Sequence, residues 1–162
     1  MKIVYPLTLV AGACALAACT ALPTRTAHMS AAKSATLSAG CEALTAKLSG
    51  LPNTRIESIT AVVAGGVKVG GTPAPAHCLV TGAMNERRGQ VDGLNYAIKF
   101  EMRLPLDWNG RFWYQANGGI DGSVVPATGE YGGGAVTSAL VQGFAVISSD
   151  AGHDNRVTRG PG

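Results

Sequence analysis

The segment from Asn95 to Pro105 alternates strictly between apolar and mostly polar side chains. A period of two residues is the period of a β-strand, in which successive side chains point to opposite faces. The sequence therefore predicts a strand with one buried and one solvated face. The side chains predicted to be buried are Tyr96, Ile98, Phe100, Met102 and Leu104. Those predicted to be solvated are Asn95, Ala97, Lys99, Glu101 and Arg103.

A turn and a second apolar run follow this strand. Pro105 and the Asn109-Gly110 pair are residues that turns favour, and residues 111–117 read as a returning strand. We therefore expect a hairpin. Large aromatic side chains are more often core than ligand contacts, so core positions are predicted for the aromatic residues of this region. These residues are Trp108, Phe112 and Trp113.

The pattern changes after residue 117. Residues 118–134 are too rich in glycine for a regular element, and residues 135–142 predict a helix closed by Gly143. The run from Phe144 to Asp150 is apolar and turns polar at its end. A continuous apolar run after a helix is typical of a parallel strand that is covered on both faces.

The pattern of elements predicts an α/β fold. A short helix is expected within residues 38–50, and strands are expected at 54–66 and 76–84. An antiparallel hairpin would then lead into parallel strands, as in the first part of an open α/β sheet. Because the chain ends soon after residue 150, we expect this sheet to be incomplete.

The N-terminus predicts export. A basic start and an apolar stretch end in the run Leu16-Ala-Ala-Cys19, which resembles the lipobox of bacterial lipoproteins. Residues 1–18 are then a signal peptide of the lipoprotein type, Cys19 carries the lipid, and residues 19–37 form a flexible tether. The alternative is ordinary secretory cleavage near Ala18. The predicted location is the periplasm or outer membrane, or outside the cell.

Export also determines how the cysteines are interpreted. Cys14 lies in the predicted signal peptide and Cys19 is the lipid candidate, which leaves Cys41 and Cys78. An even pair in an oxidising compartment predicts a disulfide, although two free buried thiols remain an alternative. No metal site is predicted, because only His77 neighbours Cys78 and the spacing fits no zinc pattern.

The charge distribution excludes one class of partner. The formal net charge is +3 over 162 residues, and Arg87-Arg88 is the only adjacent basic pair. Nucleic-acid binding needs a basic stripe or patch, so we expect no nucleic-acid partner. Membrane contact is expected only through the N-terminal lipid.

A glycine pair stands where the second apolar run ends, in the sequence Asn117-Gly118-Gly119. In open α/β sheets, ligands bind beyond the carboxyl ends of the strands. Glycine lets a substrate approach the backbone closely, and free N–H groups at such a turn can stabilise an oxyanion. The alternative is a glycine turn that only makes room for the next element.

Several stretches resemble the tannase/feruloyl esterase family. They are AHCLVTGAM, YAIKFEMRLPLDWNGRFWYQANGGIDG and ALVQGFAVISSDAGHD, within about residues 41–155. The resemblance implies a secreted α/β-hydrolase that opens esters of aromatic acids through a Ser–His–Asp triad and an acyl-enzyme. It also implies a calcium-binding lid, and it makes Gly118 and Gly119 candidates for the oxyanion N–H.

The sequence departs from this family in two respects. It contains no G-x-S-x-G: Ser123 follows a glycine but lacks the rest of a nucleophile elbow, and Ser148 and Ser149 are followed by Asp150 where a glycine-flanked turn is needed. No segment corresponds to the calcium lid, so no cofactor is expected in this chain. Residues 38–162 are therefore predicted to be the N-terminal portion of the hydrolase domain, ending before the elbow and lid, and inactive alone.

His153 lies between Asp150 and Asp154 at the end of the last strand, an arrangement that a triad base could also show. The family's catalytic histidine is a different one. We therefore interpret His153 and Asp150 as residues that support the loop through hydrogen bonds without touching substrate.

Two functions remain after the sequence analysis. The first is a fragment of an exported serine carboxylic-ester hydrolase whose substrate is a small aromatic ester of the feruloyl, galloyl or terephthalate type. The alternative is a small lipid-anchored envelope module that binds or supports without catalysis. A parallel strand with no following neighbour argues against the second function.

Overall fold

The structure is a computed structural model that describes residues 31–118, 122–130 and 137–154. Its regular elements are mostly strands, as the alternating patterns predict. In chain order they are β1 (Ala35–Thr36), α1 (Ala43–Leu48), β2 (Thr54–Val62), β3 (Lys68–Val69), β4 (Thr72–Pro73), β5 (His77–Arg88), β6 (Asn95–Pro105), β7 (Asp107–Trp108), β8 (Phe112–Gln115) and β9 (Ala145–Ser149).

Five of these strands form the main sheet, in the order β2-β5-β6-β9-β8. The pairs β2–β5, β5–β6 and β6–β9 are antiparallel, whereas β8 and β9 are parallel. Two small antiparallel pairs, β1–β7 and β3–β4, lie outside this sheet. The predicted passage from antiparallel to parallel pairing is confirmed.

The predicted hairpin between residues 95–105 and 111–117 is wrong. Strand β9 lies between β6 and β8, so these two strands are not neighbours. The turn that joins them explains why. The Asn109 backbone N–H donates to the Gly143 carbonyl at 3.0 Å, and its side-chain amide donates to the Gln142 carbonyl at 2.7 Å. The turn is therefore bonded to the residues that lead into β9, which occupies the place beside β6.

The predicted helix at 135–142 is also wrong for the part of it that the structure describes. Residues 137–143 form turns, in which the Ser138 hydroxyl accepts the Val141 N–H at 3.2 Å. This bond is the one that a helix N-cap makes, and the Gln142 N–H donates to the Ser138 carbonyl, so the segment forms one turn and goes no further. Gly143 does end the segment, with a φ of +82°. No described helix is long and apolar enough to span a membrane.

A disulfide joins Cys41 to Cys78, as predicted. It ties the turn before α1 to the first residues of β5. Both cysteines are buried, and they belong to an apolar cluster that packs α1 onto the sheet through Leu44. We call this side the helix-covered face. Its sheet side chains are Cys78, Val80, Phe100, Met102, Leu104 and Ile147.

The opposite side, which we call the loop-covered face, lies under residues 122–130. Its apolar part joins Val146 of β9 to Ala127 and Leu140. Its polar part is where the sequence prediction fails, because Arg103 is only 8 % exposed and the Glu101 side chain only 16 %. The solvated face predicted for β6 is instead covered at this end by the irregular segment.

The aromatic residues of β8 also differ from the prediction. Phe112, Trp113 and Tyr114 are 57 %, 44 % and 55 % exposed, so Phe112 and Trp113 are not core residues. Strand β8 is the last strand of the sheet, and among the described residues it pairs only with β9.

Candidate functional site

The carboxyl ends of β8 and β9 lie side by side, because these two strands are parallel. Polar side chains collect at this edge and are buried there. Gln115 is 1 % exposed, Asn117 6 %, Ser148 0 % and Asp150 2 %. Buried polar groups need hydrogen-bond partners, so their partners determine the shape of the site.

Asn117 connects the end of β8 to the end of β9. Its side-chain amide nitrogen lies 2.8 Å from the Ser149 carbonyl oxygen and 2.9 Å from the Ser148 hydroxyl oxygen. The same nitrogen lies 3.3 Å from the Ser123 carbonyl oxygen. These contacts fix the residue directly before Gly118 against the neighbouring strand and against the loop that follows.

Gln115 holds the far end of the same loop. Its side-chain oxygen accepts the Gly129 N–H at 2.8 Å, and its nitrogen donates to the Pro126 carbonyl at 3.1 Å. That nitrogen also lies 3.2 Å from the side-chain oxygen of Asn117. The side-chain amides of Gln115 and Asn117 therefore supply hydrogen bonds that regular secondary structure would otherwise give to this loop.

The structure places only one of the two predicted oxyanion donors. Gly118 is exposed and directly follows the buried Asn117, at the carboxyl end of β8. Gly119 lies outside the described residues, as does the lipidation candidate Cys19. The oxyanion role of the two glycines and the lipidation of Cys19 remain predictions.

Asp150 and His153 lie in the turn after β9. One carboxylate oxygen of Asp150 accepts the N–H of Lys99 at 3.0 Å and that of Gly152 at 2.9 Å. The His153 N–H donates to the Asp150 carbonyl at 2.9 Å. The neighbouring Asp154 pairs with the Lys99 ammonium at 2.7 Å. The carboxylate of Asp150 thus holds the turn after β9 against β6, and its supporting role remains a prediction.

A groove of about 590 Å³ opens beside this turn. Its volume lies within the range of small-molecule sites. The residues that line it include Lys99, Glu101, Gly122, Val124 and Asp150. The groove thus borders the loop that Asn117 anchors.

A second buried polar group, which the sequence did not predict, lies on the loop-covered face. His77 is 1 % exposed, and its Nδ1 lies 2.7 Å from the Pro75 carbonyl oxygen. Its Nε2 lies 3.0 Å from Nη1 of Arg103, whose Nε donates to Glu101 at 2.8 Å. Burial lowers the pKa of His77, and the nearby Arg103 lowers it further. A carbonyl oxygen can only accept and a guanidinium can only donate, so Nδ1 of His77 donates and Nε2 accepts, as in a neutral imidazole.

Glu101 extends this group to the loop. The carboxylate oxygen that accepts from Arg103 also accepts the Ala127 N–H, at 2.9 Å. Only one signal in the sequence could have indicated the cluster. His77 stands beside Cys78, at the start of a strand predicted to be buried.

The described ranges contain no group of three or more His, Cys, Asp or Glu side chains that could hold a metal ion. The described residues therefore do not fit the calcium site that the family resemblance implies for a lid.

Comparison with known proteins identifies relatives of this chain. Residues 78–160, slightly more than half of the sequence, match the family described as "Tannase and feruloyl esterase". Mono(2-hydroxyethyl) terephthalate hydrolase of Piscinibacter sakaiensis is 49 % identical over 87 residues, or 54 % of this chain and 14 % of its own length. An uncharacterized esterase of Agrobacterium fabrum is 32 % identical over 121 residues, which are 70 % of this chain and 21 % of that protein.

Solved structures give the same result for the fold. The crystal structure of feruloyl esterase B from Aspergillus oryzae superposes with a TM-score of 0.51 and 27 % identity, covering 74 % of this chain and 22 % of that one. A second esterase from Aspergillus oryzae gives a TM-score of 0.50 at 24 % identity. The predicted fold class, part of an α/β-hydrolase sheet, is confirmed. The chain spans between about one seventh and one quarter of the length of these relatives.

Proposed function

The chain belongs to the family of tannases and feruloyl esterases, and from that premise we propose that it carries the oxyanion-binding loop of an exported carboxylic-ester hydrolase. The observation that supports this proposal is the burial of Asn117. Its amide ties the end of β8 to Ser148 and Ser149, which places Gly118 at the carboxyl ends of two parallel strands.

This position suits the chemistry of ester hydrolysis. When a serine oxygen bonds to the ester carbonyl carbon, the carbonyl oxygen becomes negatively charged, and backbone N–H donors stabilise that charge. The serine proton passes through a histidine to the leaving alcohol, and water then releases the acid from the acyl-enzyme. The N–H of Gly118 or Gly119 would donate to the oxyanion.

The nucleophile would come from polypeptide other than these residues, because the sequence has no G-x-S-x-G. We therefore expect the purified chain to hydrolyse neither a feruloyl nor a p-nitrophenyl ester. The aromatic acid of the substrate would lie along this groove, against Val124 of the loop.

The disulfide and the N-terminal sequence support export. Disulfides persist in oxidising compartments, and the bond between Cys41 and Cys78 ties α1 to the sheet. We propose a secreted or periplasmic location, and we propose that the mature protein carries a lipid at Cys19. Mass spectrometry of the mature N-terminus would distinguish a lipidated Cys19 from cleavage near Ala18.

A chimera tests the oxyanion role. In it, residues 78–160 of this chain, which match the family, replace the corresponding stretch of the terephthalate hydrolase. Replacing Gly118 with proline removes its N–H, and we expect kcat to fall by about 10²–10³-fold if that N–H is the donor. Gly118→Ala keeps the N–H and serves as the matched control.

The same pair of substitutions at Gly119 decides between the two glycines. If proline is tolerated at both positions, the loop does not supply the oxyanion donor and the proposal is wrong. Serine-dependent turnover by the unfused chain would disprove the separate claim that it lacks a nucleophile.

A further inference from the structure

Three largely buried residues under the loop of residues 122–130 take no part in the ester chemistry. They are His77, Arg103 and Glu101, which we call the buried cluster, and they are bonded in series. The series ends at the loop, where one carboxylate oxygen of Glu101 accepts the Ala127 N–H at 2.9 Å. Ala127 is fully buried, so its N–H depends on this oxygen for a hydrogen bond.

The loop that the buried cluster reaches forms part of the groove. Gly122 and Val124 line the groove, and Glu101 lines it as well. Gln115 and Asn117 also bond this loop, but through side-chain amides, which do not titrate. Glu101 is therefore the one of these three anchors that carries a charge and depends on the charges beside it.

The bond between His77 and Arg103 requires a neutral imidazole. A guanidinium can only donate, so Nε2 of His77 accepts from it at 3.0 Å. Protonation places an N–H and a positive charge on this nitrogen, which then faces a second cation. Because Arg103 and Ala127 donate to the same oxygen of Glu101, displacement of Arg103 also disturbs the bond to the loop.

The buried cluster itself sets the charge environment of His77. Burial lowers the pKa of His77 most, and Arg103 lowers it further. The Pro75 carbonyl and Glu101 act in the opposite direction and raise the pKa. The balance keeps the pKa below its ordinary value, so the imidazole takes up its proton only in acid.

Within the described part of the chain, the other elements around His77 bring no further charge to it. Its strand neighbours in β2 and β6 are Val62 and Pro105. The loop and β3 carry one charged residue each, Glu130 and Lys68, and both are exposed. A proton on His77 therefore acts on the loop through Arg103 and Glu101.

We propose that Glu101 is a positioning residue for the loop that lines the groove, and that protonation of His77 releases this loop in acid by displacing Arg103. The proposal rests on the proposed function, because the loop affects the reaction only if the groove holds substrate. With neutral His77, Glu101 holds Ala127 and so keeps the groove in shape. In acid the loop loosens and substrate binds less tightly.

Nuclear magnetic resonance of the full chain tests the link from His77 to the loop. From pH 7.5 to pH 4.5, the ring protons of His77 and the amide proton of Ala127 should shift with one common midpoint, below the ordinary histidine value of about 6.5. The Gly129 amide is the internal control, because it donates to Gln115, whose amide does not titrate. An Ala127 amide that does not shift would overturn the proposal, as would an equal shift at Gly129.

His77→Gln separates this link from other titrations. A glutamine amide can accept from Arg103 at any pH in this range, so the shift of the Ala127 amide should be lost in the variant. A shift that persists in His77→Gln would come from another group, and the assignment of His77 as the controlling residue would then be wrong.

The chimera with the terephthalate hydrolase tests the positioning role of Glu101, which lies within its residues 78–160. Glu101→Ala removes the bond to the loop, and we expect KM to rise about tenfold with kcat nearly unchanged, because the loop contributes to binding. Glu101→Gln keeps an oxygen that can accept the Ala127 N–H and should restore most of the affinity. Glu86→Ala is the matched control, at an exposed carboxylate of β5.

The kinetic constants separate this proposal from the proposed function. An unchanged KM in Glu101→Ala, or an equal rise in Glu86→Ala, would contradict the positioning role. A fall in kcat alone would also contradict it, because Glu101 would then act on the chemical step. A chimera without turnover would count against the proposed function only, and the titration of the Ala127 amide would still decide whether His77 controls the loop.

Discussion

One face of the main sheet packs a helix onto apolar side chains, whereas the other packs an irregular loop onto buried polar side chains. On the helix-covered face, Val80 and Phe100 contact an apolar cluster that the disulfide closes. On the loop-covered face, Glu101, Gln115 and Asn117 bond the backbone of residues 123–129. The strength of apolar packing depends little on the direction of approach of the two groups, whereas a hydrogen bond requires a narrow range of distance and angle.

This difference assigns the two faces different tasks. The helix-covered face supplies stability, because burial of apolar area is the dominant favourable term in folding. The loop-covered face determines where the loop after Asn117 runs.

Phe100→Ala should have the largest effect. It removes a side chain that is 7 % exposed at the centre of the helix-covered face, and we expect the free energy of unfolding to fall by about 3–5 kcal/mol. Urea denaturation would measure it. Phe112→Ala, on exposed β8, is the matched control and should change stability by about 0.5 kcal/mol or less. Equal losses would mean that burial does not distinguish the two phenylalanines.

Reduction of the disulfide should have the next largest effect. The bond between Cys41 and Cys78 closes a loop with a sequence separation of 37, and its loss should lower the free energy of unfolding by about 2–5 kcal/mol. Urea midpoints with and without reductant would show it. A Cys41→Ala/Cys78→Ala variant should not respond to reductant, and an unchanged wild-type midpoint would contradict the prediction.

Gln115→Ala tests the loop-covered face. It leaves the Gly129 N–H and the Pro126 carbonyl without their side-chain partner, and an unsatisfied buried group costs about 1–3 kcal/mol. Hydrogen exchange should quicken at Gly129 and remain unchanged in β5. Gln142→Ala, at an exposed glutamine, is the control. If hydrogen exchange quickens equally in β5, the substitution destabilises the whole sheet, and Gln115 does not anchor the loop specifically.

The pH dependence of His77 should be the smallest effect. Burial lowers its pKa below the ordinary value of about 6.5, so the unfolded chain binds the proton more readily than the folded one. The stability that neutral His77 contributes is therefore present above about pH 6.5 and is lost as the pH falls below that value. Protonation would also place a positive charge against Arg103.

His77→Gln provides the comparison, because a glutamine amide can accept from Arg103 and donate to the Pro75 carbonyl without titrating. From pH 7.5 to pH 5 the urea midpoint of the wild type should fall relative to that of His77→Gln, since only the wild type loses this contribution. A constant difference between the two proteins would show that His77 does not titrate in this range.

The sequence predicted what depends on local pattern. The alternation from Asn95 to Pro105 gave the bounds of β6, which the structure has over the same residues. The apolar run before Asp150 indicated a parallel strand, and Cys41 with Cys78 indicated the disulfide. Each of these signals lies in the periodicity or the chemistry of neighbouring residues.

The errors concern contacts between distant residues. Glu101 and Arg103 alternate as solvated residues do, and nothing in β6 itself indicates that residues 122–130 cover them. The turn at Asn109-Gly110 is typical of a hairpin, and only its bonds to Gln142 and Gly143 separate β6 from β8. Likewise, Asn117 could be recognised as an anchor only once β9 was known to lie beside it.

The position of β9 between β6 and β8 has a consequence for the order in which the chain folds during synthesis. Within the main sheet, β2, β5 and β6 follow one another in chain order and are neighbours, with only the small β3–β4 pair between β2 and β5, so they can pair as soon as they emerge. The next strand of the main sheet to emerge is β8, which has no partner there until β9 has been made. Until then, the aromatic side chains of β8 belong to an exposed and unpaired segment. Chaperones bind segments of this kind, and such segments promote aggregation when no chaperone is bound.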